Sequence, residues 1–226
     1  MIEKNTNVIA IIATHNPDLL SLKTLCDSLT KQVGRVVIVD NHSRNALQTF
    51  ISQWGGVALI EANENRGIAW AQNTGINWAS SNGARYVALF DQDSLPDANM
   101  IACLLKEYSV LTQQGCLIAA VGPSYQNTTN INVDPFVVLE GYKLVRKPLQ
   151  GRSSTKVLFL ISSGCLIPLS VIEDIGLMQE DLFIDYVDVE WCLRAKSKGF
   201  DCYGSAKAKM THSIGSQTTR FIGRNF

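Results

Sequence analysis

The first half of the chain alternates short apolar runs with segments in which apolar residues recur at helical spacing. An uninterrupted run rich in β-branched residues is typical of a strand buried on both faces of a parallel sheet. The runs predict strands at residues 8–13, 36–40, 57–60, 86–90 and 117–121, and the segments between them predict helices at residues 19–29, 46–54, 68–81 and 97–111. Such alternation predicts an α/β fold in which helices cover both faces of a mostly parallel sheet.

The pattern changes after Pro123. Residues 124–156 are polar and contain several turn-forming residues, which predicts an irregular excursion with two short strands. A strand at residues 156–161 and helices at residues 169–175 and 187–198 are predicted to follow. Because no linker or repeat interrupts the chain, we predict a single domain over residues 1–226.

Composition excludes several classes of protein. Hydrophobic residues make up 46% of the 226 residues and charged residues 18%, which is sufficient for a large core. Lys and Arg together number 20, as do Asp and Glu, and this balance argues against a dedicated nucleic-acid binder. The six cysteines are scattered and form no CxxC pair, which indicates reduced, buried thiols in a cytoplasmic protein. The uncharged run at residues 157–172 is too short for a membrane-spanning helix.

Polar clusters directly follow three of the predicted strands, at residues 14–16, 40–41 and 91–93. Ligands of parallel α/β sheets bind beyond the carboxyl ends of the strands, so these clusters predict a site. Asp91 and Asp93 are one residue apart, and such a carboxylate pair can hold Mg2+ or Mn2+. Residues 91–93 also fit an ordinary turn. Their position at a buried strand end favours the metal site.

A second acidic cluster lies at residues 183–194. Asp185 is explained by a favourable interaction with a helix N-terminus, and Glu190 by an ion pair with Arg194 one helical turn later. Asp188 is explained less well, because large apolar residues surround it in the sequence. A partly desolvated carboxylate is a candidate general base, and we predict that role for Asp188.

Two further positions have equally ordinary explanations. Gly67 lies between the third predicted strand and its helix, where a glycine lets backbone approach a phosphate or ribose but also occurs in simple turns. His212 lies close to the C-terminus. A lone histidine is more often a surface or core residue than a metal ligand.

Taken together, these motifs resemble glycosyltransferase family 2, which has the GT-A fold of nucleotide-diphospho-sugar transferases, and most closely its bacterial rhamnosyltransferase branch. The matching segments run in family order over nearly the whole chain. They are Thr-His-Asn-Pro at 14–17, Val-Asp-Asn-His-Ser at 39–43, the Asn-Arg-Gly segment at 65–75, Phe-Asp-Gln-Asp-Ser at 90–94, Ser-Gly at 163–164, the Phe183 to Arg194 segment, and His-Ser-Ile-Gly at 212–215. The acidic segments at 90–94 and 183–194 are the most specific to that branch.

The resemblance implies a role for each candidate residue. Asp40 contacts the pyrimidine base, and Asp188 is the catalytic base. The implied nucleotide-sugar contacts are Thr14, Asn16, Asp40, Asn41, Gly67, Asn73, Asp91 and Gln92. The implied metal ligands are Asp93, His212 and Asp91, so the resemblance reverses the interpretation given to His212 above. It also divides the chain into a nucleotide-binding part at about residues 1–123 and an acceptor-binding and catalytic part at about residues 124–226.

The implied reaction is an inverting transfer of L-rhamnose from dTDP-L-rhamnose to a hydroxyl of a cell-surface polysaccharide or lipid-linked oligosaccharide, with Mg2+ or Mn2+ as the cofactor. Two alternatives stay open: a family 2 transferase that uses a UDP- or GDP-sugar, and a catalytically weak nucleotide-binding module. A sugar nucleotidyltransferase is disfavoured. Such enzymes have a glycine-rich loop after the first strand, whereas the corresponding loop here, at residues 14–17, contains no glycine.

The resemblance also bears on location and length. It implies peripheral association with the inner face of the cell membrane, where such acceptors are assembled. Family members usually continue well beyond the His-Ser-Ile-Gly motif, whereas this sequence ends eleven residues after Gly215. We therefore expect a short or truncated C-terminus and incomplete acceptor contacts.

Overall fold

The computed structural model of the protein describes residues 4–44, 47–127, 135–147 and 154–212, with only the backbone described at Asn127 and His212. The strands in these ranges are β1 (Asn5–Thr14), β2 (Val33–Asp40), β3 (Val57–Glu61), β4 (Tyr86–Asp91), β5 (Ser94–Pro96), β6 (Ile118–Asn127), β7 (Phe136–Glu140), β8 (Lys143–Lys147), β9 (Ser154–Val157), β10 (Leu166–Pro168) and β11 (Asp201–His212). The α-helices are α1 (Leu19–Leu29), α2 (Leu47–Ile51), α3 (Gly67–Ser81), α4 (Met100–Gln113), α5 (Leu169–Ile175) and α6 (Val187–Ser197), and Glu180–Leu182 forms one 3-10 turn.

Nine strands form one sheet in the order β3-β2-β1-β4-β10-β6-β11-β5, and β9 pairs with β11 beside this path. The pairs β1–β2, β1–β4, β2–β3 and β6–β11 are parallel. Strand β10 runs antiparallel between β4 and β6 and joins the two parallel groups. The prediction of a mostly parallel α/β sheet is therefore confirmed.

Strand β1 explains why helices cover both faces of the sheet. Side chains alternate between the two faces of a strand. Ile9 and Ile11 pack in one apolar cluster with residues of α3, α5 and α6. Val8, Ala10 and Ile12 pack in a second cluster with residues of α1, α2 and α4. One strand thus contributes to two cores, and this requires the uninterrupted apolar run seen in its sequence.

Three strands have no counterpart in the sequence prediction: β5, β10 and β11. Strand β11 contains glycine, alanine and lysine rather than a β-branched run, and its pairing with β6 along most of its length holds it extended. In place of the strand predicted at residues 156–161, β9 spans Ser154–Val157, and directly after it the N–H of Leu158 donates to the carbonyl of Val137 in β7.

Two of the predicted helices have ends that differ from the prediction by more than one residue. Helix α4 starts at Met100 rather than at residue 97: the N–H of Met100 donates to the carbonyl of Asp97 in a turn, and the N–H of Asp97 donates to the carbonyl of Lys209 in β11. Helix α2 is shorter than predicted and comprises only Leu47–Ile51. These shifts leave the positions of the strand ends that carry the candidate site unchanged.

Strands β7 and β8 form a separate antiparallel hairpin, which confirms the two short strands predicted in the polar excursion. Its root is anchored to the large sheet: Phe136 is buried and lies against Gly204 of β11. In the part of the chain that the structure describes, none of the helices is long and apolar enough to cross a membrane.

Candidate active site

The carboxyl ends of β2, β1 and β4 lie side by side. In the strand register Thr14 is opposite Asp40, and Ala13 is opposite Asp91. A cavity of about 230 Å3 opens at this edge of the sheet. The predicted site residues in its wall are Thr14, Asn41, Gly67, Asp91 and Gln92. The fold thus brings together residues that are far apart in the sequence.

Asp40 is held rigidly at the end of β2. Its carboxylate accepts a hydrogen bond from the Thr14 hydroxyl at 2.9 Å and another from the N–H of Ser43 at 2.8 Å, and the Ser43 hydroxyl donates as well. The side chain is 3% exposed. A carboxylate has about four acceptor positions, so these three bonds leave capacity for one further donor. A ring N–H of a nucleobase is such a donor.

Asn16 lies at the rim and links two loops. It adopts a positive φ of 49°, which asparagine tolerates better than most residues. Its N–H donates to the Ser43 hydroxyl at 2.7 Å, and its side-chain oxygen accepts from the N–H of Arg44 at 2.9 Å. Asn16 therefore fixes the loop that holds Asp40.

Gln92 fastens the Asp-Gln-Asp turn to the end of β1. Its Oε1 atom accepts from the N–H of His15 at 2.8 Å, and its Nε2 atom donates to the His15 carbonyl at 3.3 Å. The His15 ring is bonded through Nδ1 to the carbonyl of Asn41 at 2.8 Å. These bonds connect the ends of β4, β1 and β2 around the cavity.

Asn41 shapes the segment that leads into α3. Its Nδ2 atom donates to Oδ1 of Asn65 at 2.7 Å, and its own Oδ1 accepts from the N–H of Arg66 at 2.8 Å. The N–H of Gly67 also donates to Oδ1 of Asn65, at 3.1 Å. The side-chain amides of Asn41 and Asn65 therefore accept hydrogen bonds from the N–H groups at the start of the helix.

Gly67 lies against the protein's own backbone. It has φ of +84°, and a Cβ atom placed on it would lie 2.4 Å from the carbonyl oxygen of Phe183. That carbonyl also accepts from the N–H of Ile68 at 2.7 Å. The close approach that a glycine permits here is to Phe183, whereas the sequence suggested a phosphate or ribose. Gly67 lines the cavity, but the first N–H groups of α3 are already bonded.

Asn73 is placed differently from the nucleotide contact that the resemblance implied. It is buried in α3, donates to the Met178 carbonyl and to the Glu180 carboxylate at 2.9 Å each, and accepts from the N–H of Met178 at 2.8 Å. Both ends of the amide are thus bonded to the segment that follows α5. The structure therefore gives Asn73 a structural function outside the cavity wall.

Asp91 ends β4, and Asp93 is exposed in the turn that leads to β5. The Ser163 hydroxyl accepts from the N–H of Asp91 at 3.0 Å and is within 2.7 Å of the Ser94 hydroxyl, which fixes both sides of the turn. In the register of β5 and β11, Ser94 is opposite His212. The chain thus brings the backbone of His212 beside the Asp-Gln-Asp turn, although its side chain lies outside the described residues.

This donor set fits a hard divalent cation. Carboxylate oxygens and an imidazole nitrogen are suitable ligands for Mg2+ or Mn2+, which also retain positions for water and phosphate oxygens. Among the residues whose side chains are described, no three His, Cys, Asp or Glu groups surround a common point. The protein therefore offers two carboxylates at an open turn, with the third predicted ligand adjacent in the backbone.

Asp188 lies half-buried in the first turn of α6. Its carboxylate accepts from the N–H of Val189 at 2.8 Å and from the N–H of Ser162 at 3.3 Å. Burial raises the pKa of the Asp188 carboxyl above its ordinary value, and the negative charge of Asp91 adds to the increase against the opposing effect of these hydrogen bonds. A carboxylate with a raised pKa takes up a proton more readily than an exposed one.

The segment before Asp188 is strained. Phe183 and Tyr186 both have positive φ, 59° and 63°, although neither is glycine. Such conformations cost about 1–3 kcal/mol each and occur often at functional sites. Here they turn the Phe183 carbonyl onto α3 and start α6 so that Asp188 lies beside Ser162.

Some residues of this region were missed by sequence reasoning. Gln72 is buried in α3 and donates through Nε2 to the Ser162 hydroxyl at 3.1 Å. Within the described residues, its Oε1 atom has no hydrogen-bond partner. Buried acceptors of this kind are commonly satisfied by water or ligand. Ser163 was matched only as part of the Ser-Gly segment at 163–164, and Ser162 was marked only by its hydroxyl in an otherwise uncharged run.

Comparisons with known proteins identify the family of this chain. The family model described as Glycosyl transferase family 2 matches residues 9–176. The chain is 34% identical over 223 residues to the Shigella flexneri protein described as dTDP-rhamnosyl transferase RfbF, covering 98% of this chain and 74% of that protein.

Solved structures show the same fold. A crystal structure of GalNAc-T7 with UDP, GalNAc and Mn2+ superposes with a TM-score of 0.75 at 16% identity, over 99% of this chain and 46% of that one. S. aureus TarS 1-349 in complex with UDP gives a TM-score of 0.65 at 16% identity, over 92% of this chain and 61% of that one. The chain thus spans less than two thirds of these two solved proteins.

The family match covers most of the chain, and the Shigella relative is similar along almost all of it. The superposition over 99% of this chain shows that it shares the fold of the solved structure. This chain therefore belongs to glycosyl transferase family 2 and is a glycosyltransferase with the GT-A fold.

Proposed function

We propose that this chain transfers L-rhamnose from dTDP-L-rhamnose to an acceptor hydroxyl, with inversion at the anomeric carbon. The observation that carries the proposal is the half-buried Asp188 carboxylate, whose pKa is raised by burial and by the charge of Asp91 at the end of β4. We therefore take Asp188 as a proton acceptor beside the carboxyl end of β4, the edge of such sheets at which ligands bind. The 34% identity to a protein described as a dTDP-rhamnosyl transferase supports the choice of donor.

The nucleotide is proposed to bind along the carboxyl ends of β1 and β2. Asp40, oriented by Thr14 and Ser43, accepts the ring N–H of the pyrimidine. Asn16 holds the surrounding loop, and Asn41 holds the entrance to α3. The diphosphate then extends toward Asp91 and Asp93, where β4 ends.

The reaction is a substitution at the anomeric carbon. The acceptor oxygen forms a bond to that carbon on the face opposite the diphosphate, while the bond from the carbon to the diphosphate oxygen breaks. Asp188 takes the proton of the acceptor hydroxyl, and the nucleoside diphosphate departs with the electron pair. Attack from the opposite face inverts the anomeric centre, through a transition state of oxocarbenium character.

The residues proposed to hold a divalent cation are Asp91, Asp93 and His212. When bound, such a cation neutralises negative charge on the departing diphosphate. The two carboxylates of the turn fit this cation, and the relative GalNAc-T7 was solved with Mn2+. Removal of the metal by chelation is therefore expected to stop transfer.

The proposed acceptor is a cell-surface polysaccharide or lipid-linked oligosaccharide that is assembled at the inner face of the cell membrane. All six cysteines are free thiols, as a reducing compartment favours. The proposed base Asp188 is in the second half of the chain, close to the exposed apolar residues Ile184 and Tyr186. These residues offer an acceptor a surface beside the base.

Asp40→Asn tests the base pocket. An amide replaces one carboxylate oxygen by N–H2, and a charge-assisted hydrogen bond contributes about 1.5–3 kcal/mol. We expect the Kd for dTDP to rise about 10- to 100-fold by isothermal titration calorimetry. Asp18→Asn is the matched control, because Asp18 only caps α1 at the surface. Equal affinities of the Asp40→Asn and parent proteins would contradict the proposed base contact.

Asn73→Ala tests the structural function of this buried amide. The change removes three hydrogen bonds and leaves the N–H of Met178 unsatisfied, so the free energy of unfolding should fall by about 2–4 kcal/mol in urea titrations. The Kd for dTDP of the folded variant should stay within about twofold of the parent value. A large loss of affinity for dTDP without loss of stability would instead support a direct contact between Asn73 and the nucleotide.

The donor class is tested by thermal denaturation with dTDP, UDP and GDP, each with and without Mn2+. A ligand that binds the native state raises the midpoint, and at equal concentrations a tighter ligand raises it more. We expect the largest increase with dTDP and Mn2+ together. A larger increase with UDP would favour a UDP-sugar transferase. No increase with any nucleotide would contradict the proposal, and binding without turnover would favour a nucleotide-binding module.

A further inference from the structure

The β7–β8 hairpin exposes several large apolar side chains at one end. Tyr142, at the turn, is 104% exposed, and Leu139 and Leu144 are 47% and 65% exposed. Leu139 and Leu144 are register partners, so their side chains are neighbours on one face of the hairpin. Single exposed apolar residues are ordinary on protein surfaces, but a contiguous group marks an interaction site.

Basic residues accompany these apolar side chains. The hairpin contains Lys143, Arg146 and Lys147 but only one acid, Glu140, which forms an ion pair with Lys147. Within the described part of the chain, neither Lys143 nor Arg146 forms an ion pair. The whole chain has a net charge of zero, so this positive excess is local. We call Leu139, Tyr142, Lys143, Leu144 and Arg146 the hairpin surface.

The hairpin surface stands on a fixed root. Phe136 and Val138 are buried, and both belong to the apolar cluster that also contains Trp191 of α6. The Val137 carbonyl accepts from the N–H of Leu158 at 2.8 Å. One face of the hairpin thus belongs to the core, while the other face and the turn project outward. The exposed apolar residues therefore lie on a hairpin that is anchored in the core.

We propose that the hairpin surface docks the protein on an anionic lipid membrane. Tyrosine and leucine side chains partition into the boundary between headgroups and acyl chains, and lysine and arginine interact with lipid phosphates. A symmetric contact with a second copy of the chain fits less well, because such contacts are self-complementary and would place Lys143 and Arg146 near their own counterparts. The inference extends the proposed function by naming the surface that reaches a membrane-borne acceptor.

The test is cosedimentation of the purified chain with vesicles of phosphatidylglycerol and phosphatidylcholine, and with vesicles of phosphatidylcholine alone. It requires neither nucleotide nor turnover, so its failure is distinct from failure of the proposed transfer reaction. We expect binding to the anionic vesicles that weakens as salt is raised. Lys143→Gln combined with Arg146→Gln should lower the partition coefficient about tenfold, and Tyr142→Ser combined with Leu144→Ser by a similar factor.

Matched controls distinguish binding through the hairpin surface from nonspecific binding through exposed residues elsewhere. Lys31→Gln with Lys207→Gln removes two exposed cations elsewhere, and Leu20→Ser with Leu117→Ser removes two exposed leucines elsewhere. Both controls should bind the vesicles like the parent. The proposal is overturned if parent and hairpin variants bind equally, if controls lose as much binding as hairpin variants, or if the parent does not bind. It is also overturned if hairpin variants only change a dimer into a monomer in light scattering.

Discussion

Asp188→Asn is expected to lower kcat for glycosyl transfer by about 10²- to 10⁴-fold, the usual contribution of a positioned general base. The amide keeps the shape of the side chain, and its one oxygen can still accept from the N–H of Val189 or of Ser162, which in the parent donate to different carboxylate oxygens. The Kd for dTDP should therefore change little. Initial rates and calorimetric titrations on the same preparation measure the two quantities.

The pH dependence adds a separate prediction. Because burial raises the pKa of Asp188, kcat of the parent should rise with pH through a pKa above that of an ordinary aspartate, and this limb should be missing in Asp188→Asn. The raised pKa also means that the stability contributed by this carboxyl is present at low pH and is lost as pH rises through its folded-state pKa. At neutral pH the variant is relieved of this buried charge but loses one of its two backbone hydrogen bonds, so its free energy of unfolding should stay close to that of the parent.

Glu190→Gln is the control for this base, because Glu190 is two residues away on α6 and forms an ion pair with Arg194. It should retain most of the activity. If Asp188→Asn transfers at the parent rate, or if Glu190→Gln loses as much activity as Asp188→Asn, the assignment of the base is wrong.

Gly67→Ala is expected to lower the free energy of unfolding by about 2–4 kcal/mol, because it combines a positive φ with overpacking. The added Cβ would lie 2.4 Å from the carbonyl oxygen of Phe183, and backbone atoms cannot yield as a flexible side chain can. The segment from Phe183 to Asp188 must shift, so kcat should fall as well. Urea titration and initial rates measure the two effects.

Gly83→Ala provides the matched control. Gly83 has φ of +75°, similar to that of Gly67, but no atom lies within 4 Å of an added Cβ. Its substitution should cost about 1 kcal/mol and leave kcat unchanged. The difference between the two variants isolates the contact of α3 with Phe183. Equal losses of stability would mean that this contact contributes nothing beyond backbone conformation.

The parallel part of the fold was predictable because each strand there has its own uninterrupted apolar run in the sequence. Strand β1 supplies side chains to two cores, so its sequence is apolar at each position from Val8 to Ala13. In the helices that cover it, apolar residues recur at helical spacing. Strand β11 lacks such a signal, since residues such as Gly204 and Lys207 show no preference for extended structure. Its conformation comes from pairing with β6, which no local pattern reveals.

The candidate site was predictable to a similar extent. Asp40, Asp91 and Asp188 stand out because carboxylates follow or adjoin apolar runs. Their partners Ser43, Ser162 and Ser163 show no such pattern. Ser43 and Ser163 lie in segments that match the family, but the contacts of all three are made by single hydroxyl or N–H groups that the fold brings near. Asn73 shows the converse, since a motif residue that resembled a ligand contact is a buried structural amide.

The most direct measurement of the central claim is release of dTDP from dTDP-L-rhamnose by the purified chain, followed by chromatography with Mg2+ present. We expect release that stops when the metal is chelated, that is abolished in Asp188→Asn, and that exceeds release of UDP or GDP from the corresponding nucleotide sugars. Turnover of a UDP- or GDP-sugar with none of dTDP-L-rhamnose would contradict the claim, as would undiminished release by Asp188→Asn.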